Sequence, residues 1–217
     1  MQEFSHVPIH SYDEFRAQIR SGDILLCSGS SIFSNMIQKA TQSLWSHVGF
    51  ILRLDVIDRI MVLESVESIG VRTVPLRTYI NDYNGTERGY PGQILLARHQ
   101  DFNHERMKNL SKFAVDLLGH PYDTNEILRI AARLSMNTVG LRPAAHDPTP
   151  TREFICSEYA YVCFESIGVN IEWNTLGFIS PADFANSKKV APISFIMTEN
   201  QEGFHHQIKH HEPIMQT

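Results

Sequence analysis

The run Cys156-Ser-Glu-Tyr-Ala-Tyr-Val-Cys-Phe-Glu-Ser-Ile-Gly168 constrains this chain more than any other stretch. Tyr159, Ala160, Cys163 and Ile167 share a helical face with Cys156, and Gly168 supplies a stop, so the segment reads as a helix packed inward. A proline-rich stretch precedes it and sets Cys156 in the first turn. There the sulfur meets backbone N–H groups with no acceptor inside the helix, and the positive end of the helix dipole; both favour negative charge. The partner layer is written upstream as short apolar runs at residues 23–27, 47–53, 60–66, 70–75 and 93–98, with a last one at 189–197. The expected fold class is α+β, an antiparallel sheet packed against the helix that Cys156 heads.

Two of those strands carry the polar groups a reactive thiol needs. Ser46-His47-Val-Gly-Phe-Ile-Leu52 puts an imidazole on an apolar strand, and Ile60-Met-Val-Leu-Glu-Ser-Val66 puts one carboxylate, Glu64, on the next. Alternation places His47, Gly49 and Ile51 on one face of the first strand, and Val62, Glu64 and Val66 on one face of the second. A hairpin turning between Asp55 and Val56 sets residue 47 opposite 64, with Cβ atoms about 4.5–5.5 Å apart. A slip of two residues leaves the pair diagonal and workable; a slip of one separates the faces.

A thiol, an imidazole and an acid on adjoining elements form the constellation of a cysteine hydrolase or acyltransferase. In that reading Cys156 is the nucleophile, His47 carries the proton, and Glu64 fixes the imidazole tautomer. The backbone N–H of Cys156 is then an oxyanion donor. Each residue alone has a plainer reading: a buried Cys is usually a small apolar filler, a strand His a satisfied structural group, and Glu64 an edge charge. Cys27 and Cys163 read as core. His99, at a strand end, and His120, in a Gly-x-Pro turn, are weaker candidates for the base, and Glu67, Glu153 and Glu158 read as surface charges.

Further elements follow from local signals. Ser11-Tyr-Asp-Glu14 is a capping box opening a helix to about Arg20, and helices are expected over 31–41, 103–118 and 123–134. Residues 135–152 read as an irregular loop flanking the site, and Ser180-Pro181 as a cap with proline at the first helical position. Residues 1–198 then form one catalytic domain, followed by a polar tail at 199–217.

Net charge is −5 with acids and bases interspersed, which points away from nucleic acid. Three cysteines do not make a disulfide framework, and the N-terminus shows no basic region followed by an apolar one, so a reducing, cytoplasmic setting is expected. No apolar run approaches the roughly 20 residues of a membrane span. His205, His206, His210 and His211 make the only metal-like cluster, read as part of a solvated tail; no metal or cofactor is expected.

These residues resemble the circularly permuted papain-like hydrolases of the NlpC/P60 superfamily, in particular the YiiX/YaeF-like group. The matching stretches are Ser21-Gly-Asp-Ile-Leu-Leu26, Trp45-Ser-His-Val-Gly-Phe50, Val62-Leu-Glu-Ser-Val66, Gly119-His-Pro-Tyr-Asp123 and Phe154-Ile-Cys-Ser-Glu-Tyr159. They run in that order over roughly residues 20–190 and are specific in combination. The resemblance implies a papain-like core with the order His, acid, Cys, and His47, Glu64 and Cys156 as its triad. It implies Tyr122 near the pocket; Trp45 and Ser157, inside the matching stretches, are the other expected substrate contacts. Amide hydrolysis of a peptide or amino-acid-containing substrate is the implied activity. The alternatives are a lipid acyltransferase or phospholipase of the lecithin:retinol acyltransferase-like type, and an inactive member that binds ligand.

Overall fold

Ile24-Leu-Leu-Cys27 is buried at every position, which suits a strand in the middle of a sheet covered on both faces. The structure, a computed structural model, describes residues 4, 6–138, 153–174 and 176–198. In chain order its elements are β1 (Ile9–His10), α1 (Tyr12–Phe15), β2 (Ile24–Cys27), α2 (Ile32–Thr41), β3 (His47–Leu54), β4 (Arg59–Val66) and β5 (Gly70–Pro75). There follow α3 (Leu76–Asn81), β6 (Ile94–His99), α4 (His104–Asp116), α5 (Thr124–Thr138), α6 (Cys156–Glu165), α7 (Pro181–Asn186) and β7 (Val190–Ile196). Among the described residues the strands form one sheet in the order β1-β7-β6-β2-β3-β4-β5. All neighbours are antiparallel except the short β1, which runs parallel to β7.

Strand alternation sorts the core into two layers. Ile24, Leu26, Val48, Phe50 and Leu63 join Tyr159, Ala160, Cys163 and Phe164 of α6, with Phe50 stacked on Tyr159 and edge-on to Phe164, both at 5.6 Å. Leu25, Cys27, Ile51, Val62 and Leu96 face the other way, against Tyr12 and Phe15 of α1 and Leu76, Tyr79 and Ile80 of α3. Burying each such side chain contributes about 1.5–3 kcal/mol, so α6 is anchored by its aromatic residues far more than by its ends.

Several boundaries differ from the expectation, for local reasons. The capping box at Ser11 and Glu14 is made, but α1 stops at Phe15 and does not continue to Arg20. A continuing helix needs the Arg20 N–H on the Arg16 carbonyl; here Asp23 accepts that N–H at 2.7 Å, and the carbonyl accepts from Arg53 at 2.8 Å. Helix α5 runs to Thr138, so the first four residues of the expected 135–152 loop are helical; Ser-Met-Asn-Thr contains no breaker. The rest of that loop and the tail at 199–217, with His205, His206, His210 and His211, lie outside the described residues. Helix α3 was not anticipated. Pro75 reads as a strand end, and it is one, pairing with Met61 on the edge strand β5, but it also serves as the N-cap of α3.

The β3–β4 hairpin is shifted by two residues from the expected register. Phe50 opposes Leu63 and Leu54 opposes Arg59, because a 3-10 turn at Asp55–Ile57 and a left-handed Asp58 (φ 52°) make the connection longer than a two-residue turn. His47 and Glu64 are therefore diagonal, not directly opposed.

Candidate active site

The site lies at one end of the sheet, where β3 begins and α6 begins. Cys156 is the first residue of α6, and the sequence around it is tied down from three sides. The Ser65 hydroxyl of β4 donates to the Phe154 carbonyl at 2.7 Å, and the Phe154 N–H donates to the Pro121 carbonyl at 3.1 Å. The Ser157 hydroxyl, buried at 1% exposure, donates to the Ile179 carbonyl at 2.9 Å. Glu158 is not a surface charge: it is buried, and its carboxylate accepts the Ile155 N–H at 3.2 Å, closing the first turn of the helix.

His47 reaches this turn from the first position of β3, directly across from Cys27 of β2. Its Nε2 lies 2.7 Å from Glu64 Oε2, and the Cys156 sulfur is near enough to act on the charge of the ring. With Nε2 committed to the carboxylate, Nδ1 is the nitrogen left for the sulfur. The ring is about one-fifth exposed, whereas Glu64 and its carboxylate are fully buried. Burial alone would lower the His47 pKa; the Cys156 sulfur, then Glu64, outweigh it and raise the ring to about 10.

Glu64 stays ionised for the complementary reason. Burial pushes its pKa up, but hydrogen bonding and charge from His47, the charge of Arg72 and the Tyr79 hydroxyl together hold it below the usual carboxylate value. Arg72 Nε donates to Oε1 at 2.8 Å, and Tyr79 of α3 donates to Oε2, the oxygen that also faces His47. A glycine makes the diagonal reach possible. A Cβ built on Gly49 would stand 3.3 Å from the Glu64 Cβ and 2.9 Å from the Leu63 carbonyl, so Glu64 passes over a position with no side chain.

Tyr122 enters through a strap along the sheet edge. The Gly119 N–H donates to the Val71 carbonyl at 3.0 Å and the Val71 N–H to the His120 carbonyl at 2.8 Å. Gly70 permits that approach: its φ is +86°, and a Cβ there would come within 2.1 Å of the His120 oxygen. The half-buried Tyr122 packs in a cluster with Ile37, Ile130, Ile155 and Phe178, and its hydroxyl pKa is raised by burial first and by Cys156 next.

Residues 18–129, just over half of the chain, match the family described as permuted papain-like amidase enzymes, YaeF/YiiX, C92 family. The chain belongs to this family. That places it among the cysteine hydrolases of amide bonds. The match spans His47 and Glu64 and ends before Cys156, so the cysteine is brought to them by the fold. The crystal structure of metalloprotein YiiX from Escherichia coli O157:H7 is similar, at 19% identity and a TM-score of 0.59 over 81% of this chain and 97% of that one. At that identity the likeness is one of fold. A search of curated proteins finds no match.

The remaining expected residues sort by position. Trp45 does not line a pocket: it is 1% exposed, edge-on to Phe4 at 5.7 Å and stacked on Phe195 at 6.2 Å. Ser157 is likewise spent inside, on Ile179. Neither has surface to offer a substrate: Trp45 is buried in the segment between α2 and β3, and Ser157 on the inward side of α6. His99 sits at the far end of the sheet, since Ile94 of β6 pairs with Cys27 and His99 is five residues further, roughly 16 Å away. Cys27 and Cys163 are fully buried free thiols. Among the described residues no group of three or more His, Cys, Asp or Glu side chains is placed to hold a metal, and no helix is long and apolar enough to cross a membrane.

Three residues went unnoticed in the sequence: Gly49 as the gap beneath Glu64, Arg72 and Tyr79. A signal existed for each of the last two. Arg72 is the charged residue in an edge strand beside Glu64, and Leu76, Tyr79 and Ile80 repeat at helical spacing after Pro75.

Proposed function

We propose that the protein hydrolyses an amide bond in a peptide or amino-acid-containing substrate through an acyl-enzyme on Cys156, with His47 and Glu64 completing the triad. The observation that carries this is the position of one imidazole between a helix-start sulfur and a buried, ionised carboxylate, 2.7 Å from the latter. The Cys156 sulfur attacks the carbonyl carbon, and the backbone N–H of Cys156, at the open end of α6, donates to the developing oxyanion. The C–N bond then breaks as His47 gives its proton to the leaving amine. Water next attacks the thioester, His47 takes a proton from it, and the carboxylic acid leaves with the sulfur restored. Glu64 keeps the ring oriented through both steps. Tyr122, beside the sulfur, is the proposed substrate contact.

A second reading, a lipid ester or amide as substrate, is favoured by one feature. The apolar cluster around Ile155 borders Cys156 and continues to Phe33 and Met36 of α2, where Ile32 is 92% exposed.

The test is covalent labelling with acyl-electrophile probes followed by peptide mass mapping, across wild type, Cys156→Ala and His47→Ala. Modification is expected on Cys156, absent in the first variant and slowed about 10²-fold or more in the second. Undiminished labelling in Cys156→Ala places the nucleophile elsewhere and ends the proposal. Release of amine from acyl-amino-acid amides, set against release from acyl-chain esters, separates the two substrate readings.

A further inference from the structure

The carboxylate of Glu64 is held by two residues that no triad requires. Arg72 lies directly across from it on the edge strand β5 and donates Nε to Oε1 at 2.8 Å. Tyr79, fully buried on α3, donates its hydroxyl to Oε2. The Tyr79 ring is itself boxed by Tyr83 at 5.1 Å and Tyr90 at 5.8 Å, and Tyr83 meets Tyr90 edge-on at 4.8 Å. With His47, three fixed donors thus hold this carboxylate, two on Oε2 and one on Oε1.

A line of alternating groups crosses three strands and one helix end: Cys156, His47, Glu64, Arg72. In the reactive form of the proposed triad the first three carry a thiolate, an imidazolium and a carboxylate. That is one negative charge in excess within a site where Glu64 is wholly buried, and an uncompensated buried charge is costly. The guanidinium, about one-sixth exposed, closes the balance. We infer that Arg72 and Tyr79 are positioning residues of the active site, Arg72 by neutralising Glu64 and Tyr79 by fixing the oxygen that faces His47. The inference rests on the triad proposed above and gives the triad a fourth and a fifth member.

The arrangement explains how a carboxylate serves in this position. Alone, a buried carboxylate would bind the imidazolium too tightly and resist its giving up a proton to the leaving group. With Arg72 on its other oxygen, Glu64 orients the ring while part of its charge is already answered. Tyr79 does the geometric share, since a carboxylate with one oxygen pinned by two donors has no freedom to rotate off the ring.

Charged and titratable groups face this line from each element packed against it, with Tyr122, ahead of α5, beside Cys156. His47 meets Glu64 from β4, Cys156 from α6 and Cys27 from β2; Glu64 meets Arg72 from β5 and Tyr79 from α3, with Tyr83 and Tyr90 behind. Removing a cation from such a set makes every remaining group harder to deprotonate.

The experiment is the rate of Cys156 alkylation by iodoacetamide as a function of pH, for wild type, Arg72→Met, Arg72→Lys, Tyr79→Phe and His47→Ala, with thermal melting to confirm folding. Arg72→Met is expected to move the whole profile to higher pH by about one unit. Arg72→Lys, which keeps the charge, should stay close to wild type. Tyr79→Phe should shift in the same direction as Arg72→Met by less, with at least a several-fold lower rate at neutral pH. A lower melting temperature in Arg72→Met or Tyr79→Phe with an unmoved profile means a purely structural role and overturns the inference, as does an Arg72→Lys profile displaced as far as that of Arg72→Met. If alkylation is indifferent to His47→Ala, the triad fails, and the inference fails with it for that distinguishable reason.

Discussion

Two buried carboxylate–arginine pairs stand on the same sheet, and only one of them faces an imidazole. Glu64 and Arg72 lie at the Cys156 end. Asp23, just before β2, is also buried and takes both Nε and Nη2 of Arg98 at 2.6 and 2.8 Å, with the Arg20 N–H at 2.7 Å. Burial raises the Asp23 pKa despite those donors, whereas the Glu64 pKa is lowered. The difference is the partner set. Asp23 spends its oxygens on the chain turn between α1 and β2, beside a cavity of about 760 Å³ lined by Arg20, Arg53, Arg98 and Lys108. Glu64 keeps one oxygen on a group that can gain and lose a proton. An ion pair in the interior is therefore a poor marker of chemistry until its third neighbour is known.

The strongest way to break this comparison is to remove both acids in turn. Glu64→Ala should lower amide hydrolysis by on the order of 10²–10⁴-fold, the size expected when the residue orienting a catalytic imidazole is lost. Asp23→Ala should leave the activity of folded molecules nearly intact but destabilise by about 3 kcal/mol, through the unpaired Arg98. Urea denaturation paired with activity per folded molecule reads both. An Asp23→Ala protein that is folded yet as inactive as Glu64→Ala would erase the distinction.

A milder test uses the glycine beside each pair. At Gly49 a methyl would crowd the Leu63 carbonyl and the Glu64 Cβ, so Gly49→Ala should destabilise by about 1–3 kcal/mol and also slow hydrolysis about tenfold. At Gly22 (φ +85°) the methyl meets the Met107 side chain, 2.2 Å from its sulfur. Gly22→Ala should cost comparable stability with no specific loss of activity. Equal losses of activity in the two variants would mean that the glycine at 49 does nothing for Glu64.

The smallest effect concerns pH. The raised His47 contributes stability that is present below its ordinary value of about 6.5 and is lost as pH rises through about 10. His99, lowered by burial with Asp101, Lys189 and Arg106 around it, does the reverse: its contribution is present above about 6.5 and fades as pH falls. Melting temperature from pH 5 to 10 should therefore lose part of its alkaline decline in His47→Ala and part of its acid decline in His99→Asn. Unchanged curves in both variants would contradict the two assignments.

Much of the core was legible because it depends on local pattern. The capping box at Ser11, the buried run at β2, the apolar face of α6 and the edge placement of the Pro75 strand all follow from spacing within a dozen residues. The misreadings share another cause. Trp45 and Ser157 sit beside site residues in sequence, but packing on Phe4 and Phe195 holds the first inside and the helix turns the second inward. Glu158 looks like a surface acid until the Ile155 N–H claims it. The hairpin register was off by two because a 3-10 turn and a left-handed Asp58 are not evident in Asp-Val-Ile-Asp.

The amino-acid sequence by itself determined which residues are the candidate reactive groups and which elements carry them: a thiol heading an apolar helix, and an imidazole and an acid on neighbouring strands. Periodicity and capping are properties of short segments, so they survive being read one-dimensionally. Only the tertiary structure decided that the acid reaches the imidazole diagonally over Gly49, and that Arg72 and Tyr79 hold it there. Those contacts depend on register and on how a six-residue helix docks, both set by packing across the whole sheet.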